Sequence, residues 1–363
     1  MARLAIDDPG PPLAPDMPEC RRPLAPTTEG GFLVEQRAFG RIGRQVSVVG
    51  LGTWQLGSDW GPVDDAGALA ILGAAVDAGV TFLDTADVYG DGRSERLIGR
   101  FLGELRNGGA QDLVVATKMG RRGPQDPAEF TLDNFRAWTD RSRDNLRVDT
   151  LDLVQLHCPP TPVFDSDAVY DALDTLVADK RVAAYGVSVE TCDEALAAIA
   201  RPNVASVQII FNALRRKPLE RVLPAAQAAG VGIIARVPLA SGLLSGRYRH
   251  DTVFAVDDHR TYNRHGEAFD VGETFSGVDY DTGVDVATEF AGLAPQGMTP
   301  AQMALRWVIQ QPGVTSVIPG ARTVEQALAN AAAAPLPSLP DATLAAIEDL
   351  YDRRIRAQVH DRW

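Results

Sequence analysis

From Phe32 onward, short apolar runs alternate with longer stretches in which apolar residues recur every three or four positions. The short runs are VVGLGT at 48, VTFLDT at 80, LVVATK at 113, LDLVQLH at 151, VAAYGVS at 182, ASVQII at 205, VGIIARV at 231 and SVIPG at 316. They carry little of the in–out alternation of a half-exposed strand, which predicts strands covered on both faces, as in parallel sheets wrapped by helices. Helical spacing follows at Ala66–Ala78, Ser94–Arg106, Leu132–Arg147, Ala168–Asp179, Asp193–Ala200, Leu219–Ala229, Pro300–Gln310 and Val324–Ala333. Eight such β/α units favour a closed (β/α)8 barrel, the TIM barrel of the α/β class, over an open doubly wound sheet. No GxGxxG turn opens a helix after the first strand, which counts against a Rossmann domain.

Three segments depart from that rhythm. FLVEQRAF and QVSVVGLG flank a glycine turn and predict an N-terminal β-hairpin able to plug one end of the barrel. Residues 247–281 form a long polar insertion after the seventh strand, where a functional or mobile loop is expected. A further helix is expected from Asp341 to about Ala357. Residues 1–32, rich in proline and acidic side chains, lack periodicity and are expected to be a flexible arm preceding one barrel domain over 33–357.

Composition narrows the class. The net charge of −13 argues against a nucleic-acid partner, whose phosphates require surplus Lys and Arg. Cys20, Cys158 and Cys192 include no CxxC pair and read as reduced thiols. No apolar run approaches the roughly 20 residues of a membrane helix, and no basic-then-apolar leader opens the chain. A cytoplasmic location without a membrane partner is therefore expected. Oligomeric state is not encoded in any pattern of the sequence.

In a barrel of this kind, reactive groups belong at the C-terminal ends of the strands. Those ends carry Asp84 and Tyr89, then Lys118, His157, Ser188 and Gln208 in succession. The set suits reduction of a carbonyl. A lysine ammonium stabilises tyrosinate and lowers the tyrosine pKa, an aspartate fixes the lysine, and a histidine orients the carbonyl oxygen or shares the proton.

The stretch GVTFLDTADVYGDGRSERLIG (79–99) resembles the aldo-keto reductase signature D-T-A-x-x-Y-G-x-G-x-S-E-x-x-[LI]-G. ATKMG is similar to the family's lysine segment, and DTLDLVQLHCP to its histidine segment. The resemblance covers about residues 33–350. It implies NADP(H)-dependent hydride transfer between nicotinamide and a carbonyl or alcohol, with Tyr89 as general acid, Asp84 and Lys118 tuning it and His157 lining the carbonyl site. GVSVE at 186 is similar to the family's G-[VI]-S-N segment, which implies that Ser188 grips the nicotinamide amide together with Gln208, while Val189 stands where asparagine is usual. ARVPLASGLLSG at 235 resembles the loop over the pyrophosphate and implies cofactor contacts from Pro238, Leu239 and Gly242. Arg236 stands where relatives stack an aromatic on nicotinamide, and Val237 where serine is usual; a guanidinium plane also stacks. IPGARTVEQALAN resembles the segment holding the adenosine end, which implies Gly320 and Arg322 at the 2′-phosphate and Gln326 and Asn330 near the adenine.

Trp54 either touches substrate or packs in the core, and Trp60 and Trp138 are further pocket candidates. His250, His259 and His265 read as loop histidines rather than ligands, and no metal site is expected. Two other readings compete with the reductase: a cofactor-binding regulatory subunit of this fold, and a barrel enzyme independent of nicotinamide. The substrate depends on loops whose shape the sequence does not dictate.

Overall fold

The computed structural model describes residues 34–57, 63–108 and 112–363. The expected arm at 1–32, Cys20 and Trp60 lie outside the described residues. Strands β1 (Gln36–Ala38) and β2 (Gln45–Ser47) form the anticipated antiparallel hairpin. Eight parallel strands follow: β3 (Leu51–Gly52), β4 (Phe82–Asp84), β5 (Val114–Met119), β6 (Leu153–His157), β7 (Tyr185–Ser188), β8 (Val204–Ile210), β9 (Gly232–Arg236) and β10 (Val314–Val317). Each pairs with the next, and bridges Val49–Val317 and Gly52–Gly320 bring the first strand against the last. The sheet is thus an eight-stranded TIM barrel whose strand segments are almost wholly buried.

The register explains how the barrel interior divides. Phe82, Val114, Ala116, Leu153 and Ile234 form an apolar layer inside the barrel together with Phe39, Val46 and Ile318. Two residues further along, the same faces carry Asp84, Lys118, Gln155 and Arg236, because successive side chains alternate sides and residues i and i+2 share one. The apolar end is closed by the hairpin, as its sequence suggested. Phe39 is fully buried and meets Phe82 edge to face with ring centroids 5.1 Å apart. Gly40 (φ +48°) presses so closely on the strands that a Cβ there would lie 2.2 Å from the Ala205 carbonyl oxygen.

The helices are α1 (Trp54–Gly57), α2 (Asp65–Asp77), α3 (Arg93–Gly108), α4 (Leu132–Leu146), α5 (Asp167–Ala178), α6 (Cys192–Ile199), α7 (Val222–Ala229), α8 (His259–Tyr262), α9 (Tyr280–Ala291), α10 (Pro300–Ile309), α11 (Val324–Ala331), α12 (Asp341–Arg354) and α13 (Arg356–Val359), of which the short α1 and α8 lie at the mouth of the barrel. Several starts are written locally. Thr191 with Glu194 and Thr299 with Gln302 form capping boxes, and Pro300 opens α10. Helix α9 was not anticipated: Gly283 and its β-branched neighbours weaken propensity, while Asp279 caps the helix and Val284, Ala287 and Phe290 bury its inner face. The tail helix breaks at Ile355 into α12 and α13. No described helix is long and apolar enough to cross a membrane.

The 247–281 insertion is folded rather than a featureless loop. The Asn212 amide donates to the Val237 carbonyl at 2.9 Å and to Ser276 Oγ at 2.8 Å. Ser241 Oγ donates to the Glu273 carbonyl at 3.0 Å and accepts from the Phe275 amide at 3.1 Å. These bonds hold the insertion against the loop that leaves β9.

Candidate active site

The polar layer at the C-terminal mouth forms one connected chain. Lys118 Nζ donates to Asp84 Oδ1 at 2.5 Å, to the Thr85 carbonyl at 2.8 Å and to the Tyr89 hydroxyl at 3.4 Å. The second oxygen of Asp84 accepts from Gln208 at 2.8 Å and Gln155 at 3.3 Å. Tyr89 reaches this chain because Thr85 and Asp87 extend the ladder to the Ala116 and Lys118 carbonyls before the chain turns at Tyr89. Gly90 completes that turn at φ +57°, where a Cβ would lie 2.0 Å from the Gly57 carbonyl oxygen. His157 packs its ring edge to face with Tyr89, centroids 5.9 Å apart, and its Nδ1 has no described partner.

Burial and charge compete at each group. Burial disfavours the Lys118 ammonium, but Asp84 and Tyr89 outweigh it and the lysine pKa moves up. The anticipated lowering of the Tyr89 pKa by Lys118 is present, yet burial, aided by Asp84 and Glu273, prevails and the net movement is upward. Tyr89 therefore rests as a neutral phenol beside a charged lysine. Burial, together with Arg121, Lys118 and Arg236, pushes His157 well below its usual range, so its ring is neutral near pH 7.

Above these residues lies a cavity of about 930 Å³. Of the anticipated site residues, Trp54, Asp84, Tyr89, His157, Gln208, Arg236, Pro238, Leu239, Gly242, Gly320, Arg322, Gln326 and Asn330 line it. Lys118 and Ser188 do not. Lys118 lies beneath the floor, and Ser188 is buried with its hydroxyl 3.4 Å from the Cys158 thiol. Val189 is fully buried and offers no polar substitute for an asparagine amide. Of its two sequence readings, Trp54 takes the cavity wall, stacked on Tyr89 with centroids 6.0 Å apart. Trp138 packs instead on Phe130 and Phe135. His259, read as a loop histidine, is fully buried with its ring 5.0 Å from Trp54.

One end of the cavity suits a phosphorylated nucleotide. The loop from Val237 to Gly246 turns through positive φ at Val237, Ala240, Ser241, Gly242 and Gly246, a conformation that presents backbone N–H groups to an anion. Val237 is β-branched, so its φ of +53° is costly and marks a constrained segment. The start of α10 (Thr299–Ala301) also lines the cavity, adding the partial positive charge of a helix N-terminus. Arg322 is exposed at the far end without an ion pair to any described carboxylate, and its backbone N–H donates to Gln326. Asn330 donates to the Gly320 carbonyl at 3.1 Å.

The other end holds a charged cluster that the sequence did not reveal. Arg236 contacts Glu190 at 2.9 Å and Glu273 at 3.7 Å and donates to the Val189 carbonyl at 3.1 Å. Arg121 contacts Glu273 at 2.9 Å and Glu190 at 3.4 Å. Its members lie at the ends of β5, β7 and β9 and in the insertion, so no local pattern links them. Gln155, two residues before His157, was legible from strand alternation and was missed. Cys158, Glu190 and Glu273 bring potential metal-ligand atoms within 4.8 Å of one another. Two guanidinium groups already neutralise the carboxylates, and burial pushes the Cys158 thiol up to about 12, which leaves little for a cation.

Comparison with known proteins agrees with this geometry. The Aldo/keto reductase family model matches residues 48–352. An oxidoreductase of Mycobacterium tuberculosis is 35% identical over 299 residues, covering 80% of this chain and 85% of the relative. A glycerol dehydrogenase from Gluconobacter oxydans superposes with a TM-score of 0.71 at 28% identity, covering 88% of this chain and 96% of that one. An aldo-keto reductase from Klebsiella pneumoniae, solved in complex with NADPH, gives a TM-score of 0.65 at 26% identity over the same shares.

Proposed function

The chain belongs to the aldo/keto reductase family, and from that premise we propose that it is an NADP(H)-dependent reductase of small aldehydes, ketones or sugars, or a dehydrogenase of the corresponding alcohols. The observation that carries this reading is the Asp84–Lys118–Tyr89 chain, which ends in a neutral phenol on the floor of the cavity beside His157. Bound NADP(H) would supply or accept the hydride.

The chain's own residues do the rest. Tyr89 donates its hydroxyl proton to the carbonyl oxygen during reduction, and Lys118 stabilises the tyrosinate left behind. Asp84 holds the ammonium in position and is itself held by Gln208 and Gln155. The neutral His157 ring orients the carbonyl oxygen. Arg236, Pro238, Leu239 and Gly242 hold the nicotinamide and pyrophosphate portions, and Gly320, Arg322, Gln326 and Asn330 the adenosine end. Ser188, buried against Cys158, reaches the nicotinamide amide only if its hydroxyl exchanges partners. Arg322 favours the 2′-phosphate because a guanidinium fork donates two bonds to one phosphate. The NADPH complex of the Klebsiella relative supports that choice of cofactor. The chemistry is assigned to one barrel domain over residues 33–357, in the cytoplasm.

Titration of the protein with NADPH and NADH, followed by quenching of tryptophan fluorescence, tests the reading. NADPH is expected to bind at least about 10-fold more tightly, a difference of about 1.4 kcal/mol. Arg322→Ala should erase most of that preference. Failure of both nucleotides to bind would overturn the reductase reading, and equal losses for both in the variant would move the 2′-phosphate elsewhere.

A further inference from the structure

Two carboxyl groups meet at the end of the cavity where Tyr89 lies. Glu190 follows β7, Glu273 comes from the insertion, and their side chains share a hydrogen bond. Carboxyl groups bond to each other only when one of them carries a proton. Arg236, which lines the cavity with Glu273, contacts both, and so does Arg121 from outside the lining. Burial, with Glu273 and Asp270, pushes Glu190 up to about 7 against the pull of Arg236 and Arg121. Burial also disfavours a charge on Glu273, but Arg121, Arg236 and the bond from Glu190 prevail and hold its pKa low. The other groups facing Glu190 do not take over this role. Arg215 after β8 donates to the Glu190 carbonyl and stays charged near pH 7, although burial lowers it to about 10. Burial pushes the Cys158 thiol after β6 up to about 12 and the His157 ring well below its usual range, so both are neutral. Glu194 of α6 accepts from the Glu190 backbone N–H at 3.0 Å. The cluster thus gains one negative charge near pH 7, and it gains it at Glu190.

We propose that Glu190 is a specificity-determining residue for the redox state of the cofactor: holding its proton it favours NADPH, and having lost it, it admits NADP+. The inference rests on the reductase reading above and deepens it. In that reading the nicotinamide lies against Arg236, beside a carbonyl held by Tyr89 and His157. Glu273 is close enough to Tyr89 to help raise the phenol's pKa, so charge in this cluster reaches the reacting end of the cavity. The oxidised nicotinamide ring is a cation and the reduced ring is neutral. Protonated Glu190 leaves the cluster one unit more positive, which repels the cation and is indifferent to the neutral ring. Ionised Glu190 removes that unit. It does not need to line the cavity to act, because a charge in a poorly screened interior is felt over several ångströms. Linkage makes the effect reciprocal: NADP+ lowers the Glu190 pKa and drives its proton into solvent, whereas NADPH leaves the proton in place.

The test measures Kd for NADP+ and for NADPH at pH 6 and pH 8, by quenching of tryptophan fluorescence, in the wild type, Glu190→Gln and Asp87→Asn. Titration of the 2′-phosphate is common to both nucleotides and cancels in the ratio of the two constants. The ratio of Kd for NADP+ to Kd for NADPH is expected to fall at least about 3-fold from pH 6 to pH 8 in the wild type. In Glu190→Gln it should keep its acid value at both pH values. Burial pushes Asp87 up to about 7 as well, and Asp87→Asn should retain the wild-type fall. A purely structural role for Glu190 would weaken both nucleotides together and leave the fall in place, which would overturn the proposal. A wild-type ratio independent of pH, or a fall lost in Asp87→Asn instead, would overturn it too. Calorimetry of the wild type in buffers of different ionisation heat stands independently of the variants' folding. At pH 7, NADP+ should release at least about 0.2 more protons per site than NADPH. Equal release would sink the proposal while leaving the reductase reading intact, and binding of neither nucleotide would count against the reductase reading itself.

Discussion

At the scale of single residues, the protein works by setting burial against charge. Tyr89 and Lys118 share one hydrogen bond at the cavity floor, and neither loses its proton near neutral pH. Tyr89→Phe keeps the ring and its packing on Trp54 and His157 while removing the proton. It should lower kcat by roughly 10²–10⁴-fold and leave the Kd for NADPH within about 3-fold; an unchanged kcat would exclude Tyr89 as the acid. Asp87, two residues earlier, is fully buried. Burial, reinforced by Glu95, pushes its pKa from 3.8 up to about 7. Stability tied to this group is fully present below about pH 4 and is lost as pH rises through about 7, because the native state then buries a charge that the unfolded chain exposes to water. Asp87→Asn removes the titration. Its stability relative to wild type should rise by about 2–3 kcal/mol between pH 5 and pH 8 in denaturant melts; a pH-independent difference would mean that Asp87 stays charged throughout. The DTADVYG motif made Tyr89 legible in the sequence. The load on Asp87 was not, since it depends on which side chains close over it.

At the scale of elements, each barrel strand changes character along its length. Phe82 gives way to Asp84, Ala116 to Lys118 and Ile234 to Arg236, always two positions on and therefore on the same face. The order of the candidate residues around the mouth was legible from the succession of strand ends in the sequence, whereas the shared face was not. The loop after β9 is harder to read. Its phosphate-binding shape depends on left-handed backbone at Val237 and Ser241 as well as at its glycines. Gly242 has φ +96°, and a Cβ there would lie 2.3 Å from the Tyr248 hydroxyl. Gly242→Ala should cost roughly 1–2 kcal/mol of stability through the forced backbone and weaken NADPH by about 10-fold or more, about 1.4 kcal/mol, read in the fluorescence titration. Unchanged affinity would mean that the loop does not hold the cofactor in this conformation. Helix α9 was missed for the complementary reason: it is held by its buried face rather than by propensity, and a burial partner distant in sequence leaves no local signal.

At the scale of the whole molecule, the barrel has a plugged end and a working end, and the two are coupled only through packing. Phe39→Ala should destabilise the protein by about 3–5 kcal/mol in denaturant melts and leave the cofactor affinity of the folded protein unaltered. A cost below about 1 kcal/mol would mean that the hairpin is dispensable for closure. The sequence by itself determined the eight strands, the plugging hairpin, the family and most of the residues around the cavity. These are set by periodicity and by motifs whose parts lie a few residues apart, and local chemistry dictates both. Only the tertiary structure decided that Arg236 is clamped by Glu190 and Glu273, that His259 is buried against Trp54, that Ser188 lies behind the cavity wall and that the insertion supplies a carboxylate to it. Those arrangements join groups far apart in the chain; Trp54 and His259 are separated by 205 positions (259 − 54). Burial and Coulomb energy depend on such distances in space, which a linear pattern does not carry.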